Sequence, residues 1–189
     1  SSLDLFWYRV NYSSNYQWKI MAERNLRIHL FVKYLDKIND LIPGAKNHKI
    51  IIRPFGVLAA SSIDYKDVFY HTNPHVTFLR EEIELGTKFL RKNGLNTDDK
   101  FVCIIARDSV YKETHQKHLK PTWSYHSHKN SNIQNYKQAA CELADMGYWI
   151  FRMGKGVYGS FDFKHERIID YANSEYRSDF LDIFLFANC

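Results

Sequence analysis

The chain has 189 residues, enough for one large domain or two small ones around a sizeable core, and its 45% hydrophobic and 25% charged residues are ordinary for a globular protein. The formal net charge of +5, from 26 basic and 21 acidic residues, suits an anionic ligand but is too mild to argue for nucleic acid. No apolar run approaches transmembrane length, and the start of the chain lacks the charged-then-apolar pattern of a signal peptide. Cys103, Cys141 and Cys189 stand singly, without a CxxC pair, and read as reduced, packed thiols of a cytoplasmic protein. Aromatic residues make up 16% of the chain, which leaves core packing and stacking on sugars or bases as two open readings.

Residues 3–18 are aromatic and irregular, with a short strand expected near 5–10. From 23 to 42, Ile28, Phe31, Val32, Leu35, Ile38 and Ile42 recur at helical spacing until Pro43-Gly44 stops them. Residues 49–53 are a strand candidate closed by Pro54 and Gly56. The stretch 54–76 reads as a loop-rich connection, with a helical turn near 64–70. Thr77 is the expected cap of a helix reaching Asn93, with Glu81, Glu82 and Glu84 near its positive end and Arg91-Lys92 near its negative end. Gly94 ends that helix, and a boundary placed there divides the chain into an N-terminal α/β region, 1–94, and a Rossmann-like domain, 95–189.

The second half is the more legible. Residues 101–106 form a short apolar run with a β-branched centre, as a strand covered on both faces does. Residues 131–134, SNIQ, make a capping box, and Ile133, Tyr136, Ala140, Leu143 and Ala144 follow as one apolar helical stripe. Gly147 stands where a left-handed C-cap is needed, and 149–153 reads as a second buried strand. Strand, helix and strand in this order predict a βαβ unit with a parallel sheet, whose ligands bind beyond the carboxyl ends of the strands. A third short strand is expected at 168–171, and Ser178 caps a last, almost wholly apolar helix. Such a helix needs cover on all sides, from a partner subunit in a homo-oligomer or from further chain.

Four segments in this half carry a resemblance: RDSVY (107–111), YHSHKN (125–130), GYWIFRMG (147–154) and IIDYA…RSDFLDIFLFANC (168–189). In that order they resemble a family of bacterial proteins assigned as glycosyltransferases and known mostly from surface-polysaccharide gene clusters. The family's motifs are RDS-x-Y, YH-x-x-RN, G-[YW]-x-x-[IF]RMG and SD-x-LDI. The resemblance spans roughly residues 77–189 and implies a GT-B architecture, in which two Rossmann-like domains face each other. It implies transfer of a sugar from a nucleotide-sugar donor to a glycan or lipid-linked acceptor, peripheral to a membrane in some settings, with no cofactor beyond that donor. Family members usually continue into another strand and a Gly/Ser-rich loop, so the chain reads as a fragment. The alternative is a non-catalytic sugar- or nucleotide-binding module.

Arg107 and Arg152 leave neighbouring strands toward one rim, an anion-binding arrangement. Arg107 is the candidate clamp on the donor diphosphate, against a plain surface ion pair with Asp108. Arg152 is a second candidate, against stacking on aromatics or binding a loop carbonyl. Lys155, between Gly154 and Gly156, is a third phosphate contact, although GKG lacks the spacing of a P-loop. No GxGxxG occurs, which argues against a dinucleotide oxidoreductase. Asp108 is the candidate general base. His126 is a donor-contact candidate. A metal at His126 and His128 is not expected, because no third ligand stands at a fixed spacing. Asn130 and Ser131 lie at the expected helix N-terminus, a place for phosphate or a sugar hydroxyl. Ser178, Asp179 and Asp182 open the last helix. The resemblance implies that this helix end helps to hold the nucleotide, whereas the residues alone read equally as partners of the helix dipole.

Overall fold

The computed structural model describes residues 3–8, 13–49, 67–115, 128–161 and 163–189, and divides the chain into two compact units, Ser1–Phe78 and Leu79–Cys189. The expected strand at 49–53 falls almost wholly outside the described residues, as do the last two of the six residues at 5–10.

In the first unit the long helical pattern is split into α1 (Tyr16–Asn25) and α2 (Val32–Asn39). Asn15 caps α1 by accepting from the Trp18 N–H at 2.9 Å. Helix α1 ends because residues 27–29 commit their backbone to another segment. The Phe6 N–H donates to the Arg27 carbonyl at 3.0 Å and the His29 N–H to the Phe6 carbonyl at 2.9 Å, a bridge that a continuous helix would forbid. Only Val32 of the expected stripe is fully buried, while Phe31, Leu35, Ile38 and Ile42 are exposed. A short helix, α3 (Val68–His71), completes the described part of this unit.

The second unit is α/β. Helix α4 (Arg80–Lys92) is followed by strand β1 (Phe101–Ile104), helix α5 (Val110–His115) and helix α6 (Lys137–Asp145). Strands β2 (Trp149–Arg152) and β3 (Ile168–Ile169) and the terminal helix α7 (Asp179–Asn188) complete it. The three strands form one parallel sheet in the order β1-β2-β3, with Phe101 opposite Trp149, Ile104 opposite Arg152 and Ile150 opposite Ile168. Strand alternation sends Ile150 and Arg152 to one face and Phe151 and Met153 to the other. The first face carries α6: Ala140, Ala144 and Ile133 are buried there with Ile150 and Phe161. Tyr136 is not part of that stripe and is 37% exposed. A 3₁₀ turn over Ile133–Tyr136 precedes the α-helix and rotates it outward. As expected, α6 ends at Gly147, at φ +100°, with the Tyr148 N–H on the Leu143 carbonyl in a Schellman arrangement.

The opposite face is aromatic. Phe89 of α4 meets Phe151 and Tyr171 at ring distances of 6.2 and 5.9 Å, and Phe101 meets Phe151 at 5.4 Å. These contacts place α4 in the second unit, so that the division falls after 78 rather than after 94, sixteen positions earlier (94 minus 78). Its cap also differs: Leu79 starts the helix, and the Glu82 carboxylate accepts from the Leu79 N–H at 2.8 Å. The apolar helix α7 finds cover against α4, burying Leu181, Phe184 and Leu185 and leaving Phe186 45% exposed. Cys103 and Cys141 are half-buried, whereas Cys189 is exposed rather than packed. Burial, and after it the neighbouring Cys189, pushes the Cys103 thiol well above its ordinary pKa, so it is neutral.

Gly86 sets the α4–α7 distance. A Cβ added there would lie 2.4–2.5 Å from three ring atoms of Phe184, closer than any real contact. Gly86→Ala gains up to about 1 kcal/mol of helix propensity but forces Phe184 aside, and overpacking of this kind costs about 1–3 kcal/mol. A net loss of about 1 kcal/mol is expected in denaturant melts, recovered in part by Phe184→Leu in the same chain. A more stable Gly86→Ala chain would show that the two helices do not approach this closely.

Candidate functional site

Beyond the carboxyl ends of β1 and β2 lies a pocket of about 330 Å³, near the lower limit for small-molecule sites. The strand-to-helix turn contributes Ala106, Asp108, Ser109 and Val110, and the approach to α6 contributes Asn130, Ser131, Asn132 and Ile133. Arg152 and Tyr158 close it from the β2 side. The Ser131 N–H donates to the Arg107 carbonyl at 2.8 Å, which joins the two walls. The cap of the 3₁₀ turn is Asn132, whose side chain accepts from the Gln134 N–H at 3.0 Å, one residue later than the expected SNIQ box. Gln134 turns away and donates to the Ser160 carbonyl at 2.8 Å. The α-helix proper starts only at Lys137, so Asn130 and Ser131 stand six or seven residues before it (137 minus 131 or 130).

Arg152 is only 2% exposed and fully occupied. One Nη donates to the Gly159 carbonyl at 2.7 Å and pairs with Asp170 at 3.3 Å; the other donates to the Tyr158 carbonyl at 2.9 Å. The loop-carbonyl alternative describes this geometry. Asp170 also accepts from the Phe161 N–H and the Asn173 side chain, each at 2.8 Å. Asp108 makes no ion pair with Arg107. Its two oxygens accept from the Val110 N–H at 3.0 Å and the Tyr158 N–H at 2.7 Å. Arg107 stands between two lining residues, exposed, and among the described residues its guanidinium has neither a hydrogen bond nor an ion pair.

The remaining predicted residues form a separate cluster at the start of α7. Ser178 caps the helix, accepting from the Leu181 N–H at 3.1 Å. Lys155 pairs with Asp179 at 3.0 Å, and Arg177 pairs with Asp179 at 2.8 Å and with Asp182. The buried Tyr171 hydroxyl accepts from the Ser178 N–H at 3.0 Å, and its proton lies within reach of Asp182 Oδ1 at 3.0 Å. These carboxylates are therefore committed to holding the helix in place. Tyr158, Asp170, Tyr171 and Arg177 were not singled out from the sequence, although the last three stand inside the quoted motifs. Their signal was a polar residue recurring beside an apolar run. His126 lies outside the described residues, and His128 is exposed. Among the described residues no three His, Cys, Asp or Glu side chains are grouped as a metal site requires, and no helix is long and apolar enough to cross a membrane.

Comparison with known proteins finds no match to a family model, a curated protein or a solved structure. The four motifs carry the resemblance by themselves.

Two outcomes test this geometry. Arg152→Lys replaces a fork that spans two carbonyls and a carboxylate by a single ammonium, and should lower stability by about 2–4 kcal/mol in denaturant melts. An unchanged midpoint would mean that the loop is held by other contacts. Burial pushes the Asp182 carboxyl above the ordinary carboxylate range, by more than Arg177 draws it down. The folded chain then binds this proton more tightly than the unfolded one, so Asp182 contributes most at low pH and less as pH rises through the raised value. The stability of the native chain relative to Asp182→Asn should accordingly fall as pH rises from the ordinary carboxylate range, about pH 4, through the raised value. A difference that grows with pH would reverse the assigned direction.

Proposed function

We propose that the second unit binds a nucleotide-sugar donor in the pocket and is the donor-binding part of a GT-B-like glycosyltransferase acting on a glycan or lipid-linked acceptor. The observation that supports this most is the position of Arg107. It leaves β1 at the carboxyl edge of a parallel sheet, between two pocket-lining residues, with its guanidinium uncommitted among the described residues. In the reaction the bond from the anomeric carbon to the diphosphate breaks while the acceptor oxygen bonds to that carbon and gives up its proton to solvent. Negative charge then gathers on the leaving diphosphate, where a planar guanidinium stabilises it more than it stabilises the ground state. Asp108 enters this reading as the residue that fixes the loop beside Arg107, since both its oxygens hold backbone N–H groups.

One observation favours a non-catalytic sugar- or nucleotide-binding module instead. The charged groups that line the pocket, Asp108 and Arg152, are tied to the backbone, and the other polar side chains are neutral amides and hydroxyls together with the Tyr158 phenol. Such a lining suits binding without chemistry equally well.

Calorimetric titration with a panel of nucleotide sugars, followed by a donor-hydrolysis assay, separates the two. Arg107→Lys should cost about 1–3 kcal/mol of donor affinity, and Arg107→Ala more. Both should melt within about 0.5 kcal/mol of the native chain, because an exposed side chain is removed. Unchanged affinity with a collapsed melting temperature would make Arg107 a structural residue and remove the main support for this reading.

A further inference from the structure

Tyr158 is 78% exposed, yet both backbone polar groups of this loop residue are held by charged side chains. Its N–H donates to Asp108 at the end of β1, and its carbonyl accepts from the buried Arg152 at the end of β2. The next carbonyl, of Gly159, accepts from the same guanidinium at 2.7 Å. Gly156 and Gly159 flank it at φ +61° and +67°, a region that favours glycine, so the turn presenting Tyr158 is built for that shape. An exposed tyrosine by itself needs no explanation. Two charged side chains holding the backbone of one exposed, pocket-lining tyrosine do. Among the described residues Tyr158 is the one aromatic that lines the pocket, and beside Asp108 and Arg152, which are tied to the backbone, the polar lining is amide and hydroxyl.

We propose that Tyr158 is the stacking platform for the nucleobase of the bound nucleotide, the amide and hydroxyl side chains of the pocket being left to the sugar hydroxyls. This rests on the nucleotide-sugar reading above and assigns a residue to one part of that ligand. A rigidly placed ring loses little freedom on binding, and every base offers a face to it without requiring a particular hydrogen-bond pattern. Asp108 and Arg152 act as positioning residues through the Tyr158 backbone.

The test uses Tyr158→Trp, Tyr158→Phe and Tyr158→Ala in the full chain, with nucleoside diphosphates, nucleotide sugars and methyl glycosides as probes. Stacking predicts that nucleoside diphosphates and nucleotide sugars quench the added Trp fluorescence beyond that of the native chain. Tyr158→Phe should keep their affinity, and Tyr158→Ala should lower it at least about fivefold with an unchanged melting temperature. Quenching by nucleoside diphosphates without any binding of nucleotide sugars would uphold the platform and remove the donor reading. Nucleotide-sugar binding that Tyr158→Ala leaves intact would do the reverse. Quenching by methyl glycosides alone overturns the base assignment, and no binding by any probe overturns both.

Discussion

The second unit depends on a guanidinium buried at the end of its central strand. Arg152 belongs to a strand whose preceding side chains, Ile150 and Phe151, are fully covered, so its charge has no route to water except through protein partners. Those partners are the Tyr158 and Gly159 carbonyls and Asp170. Burying a charge costs several kcal/mol unless it is paired and hydrogen-bonded, and leaving its partner alone costs as much again. The loop after β2 and the segment after β3 are therefore obliged to fold back over the strand end. In doing so they shape one wall of the pocket. The long connection from β2 to β3 contains no helix in its described residues, and this polar knot takes over the role that a crossover helix has elsewhere.

Around that knot the two faces of the sheet are covered by different means. Toward α6 the packing uses small residues: Ala140 and Ala144 let the helix sit close to Ile150 and Phe161. Toward α4 and α7 it uses rings, with Phe89, Phe101, Phe151 and Tyr171 in edge or tilted contact. Gly86 admits the Phe184 ring where any side chain would exclude it. These rings account for only part of the high aromatic content, since many other described aromatic side chains are exposed. Tyr158 is a ring left outside that core and beside the pocket.

The α7 cluster makes a related point about polar groups near a site. Lys155, Asp179 and Asp182 look like ligand contacts in a sequence, since they are charged and lie near glycines and a helix start. In the folded unit they hold one another with Arg177 and Tyr171, and so fasten the β2 loop to the last helix. Charge at the edge of a sheet is thus divided between residues that build the rim and residues that face outward from it. Arg107 is of the second kind, since Asp108 is occupied with backbone N–H groups and, among the described residues, nothing pairs with the Arg107 guanidinium.

The sequence by itself determined the βαβ core of the second half: two short apolar runs, an amphipathic stretch between them and Gly147 at its end. Periodicity and the left-handed preference of glycine act over a few residues, so a local reading captures them. It also determined the cap of α7 at Ser178, for the same reason. Only the tertiary structure decided that the 23–42 pattern breaks, because residues 27–29 bond to Phe6, some twenty positions earlier (27 minus 6). It alone decided that α4 packs with the second half, through Phe89 and Gly86, and that Arg152 is a buried tie while Arg107 stays exposed. Both arginines follow apolar runs and are alike in sequence, though Arg152 ends β2 and Arg107 stands three residues beyond β1. What separates them is that a carboxylate and a carbonyl, 18 and 6 positions away along the chain, arrive beside Arg152 when the loops close, and among the described residues none does so beside Arg107.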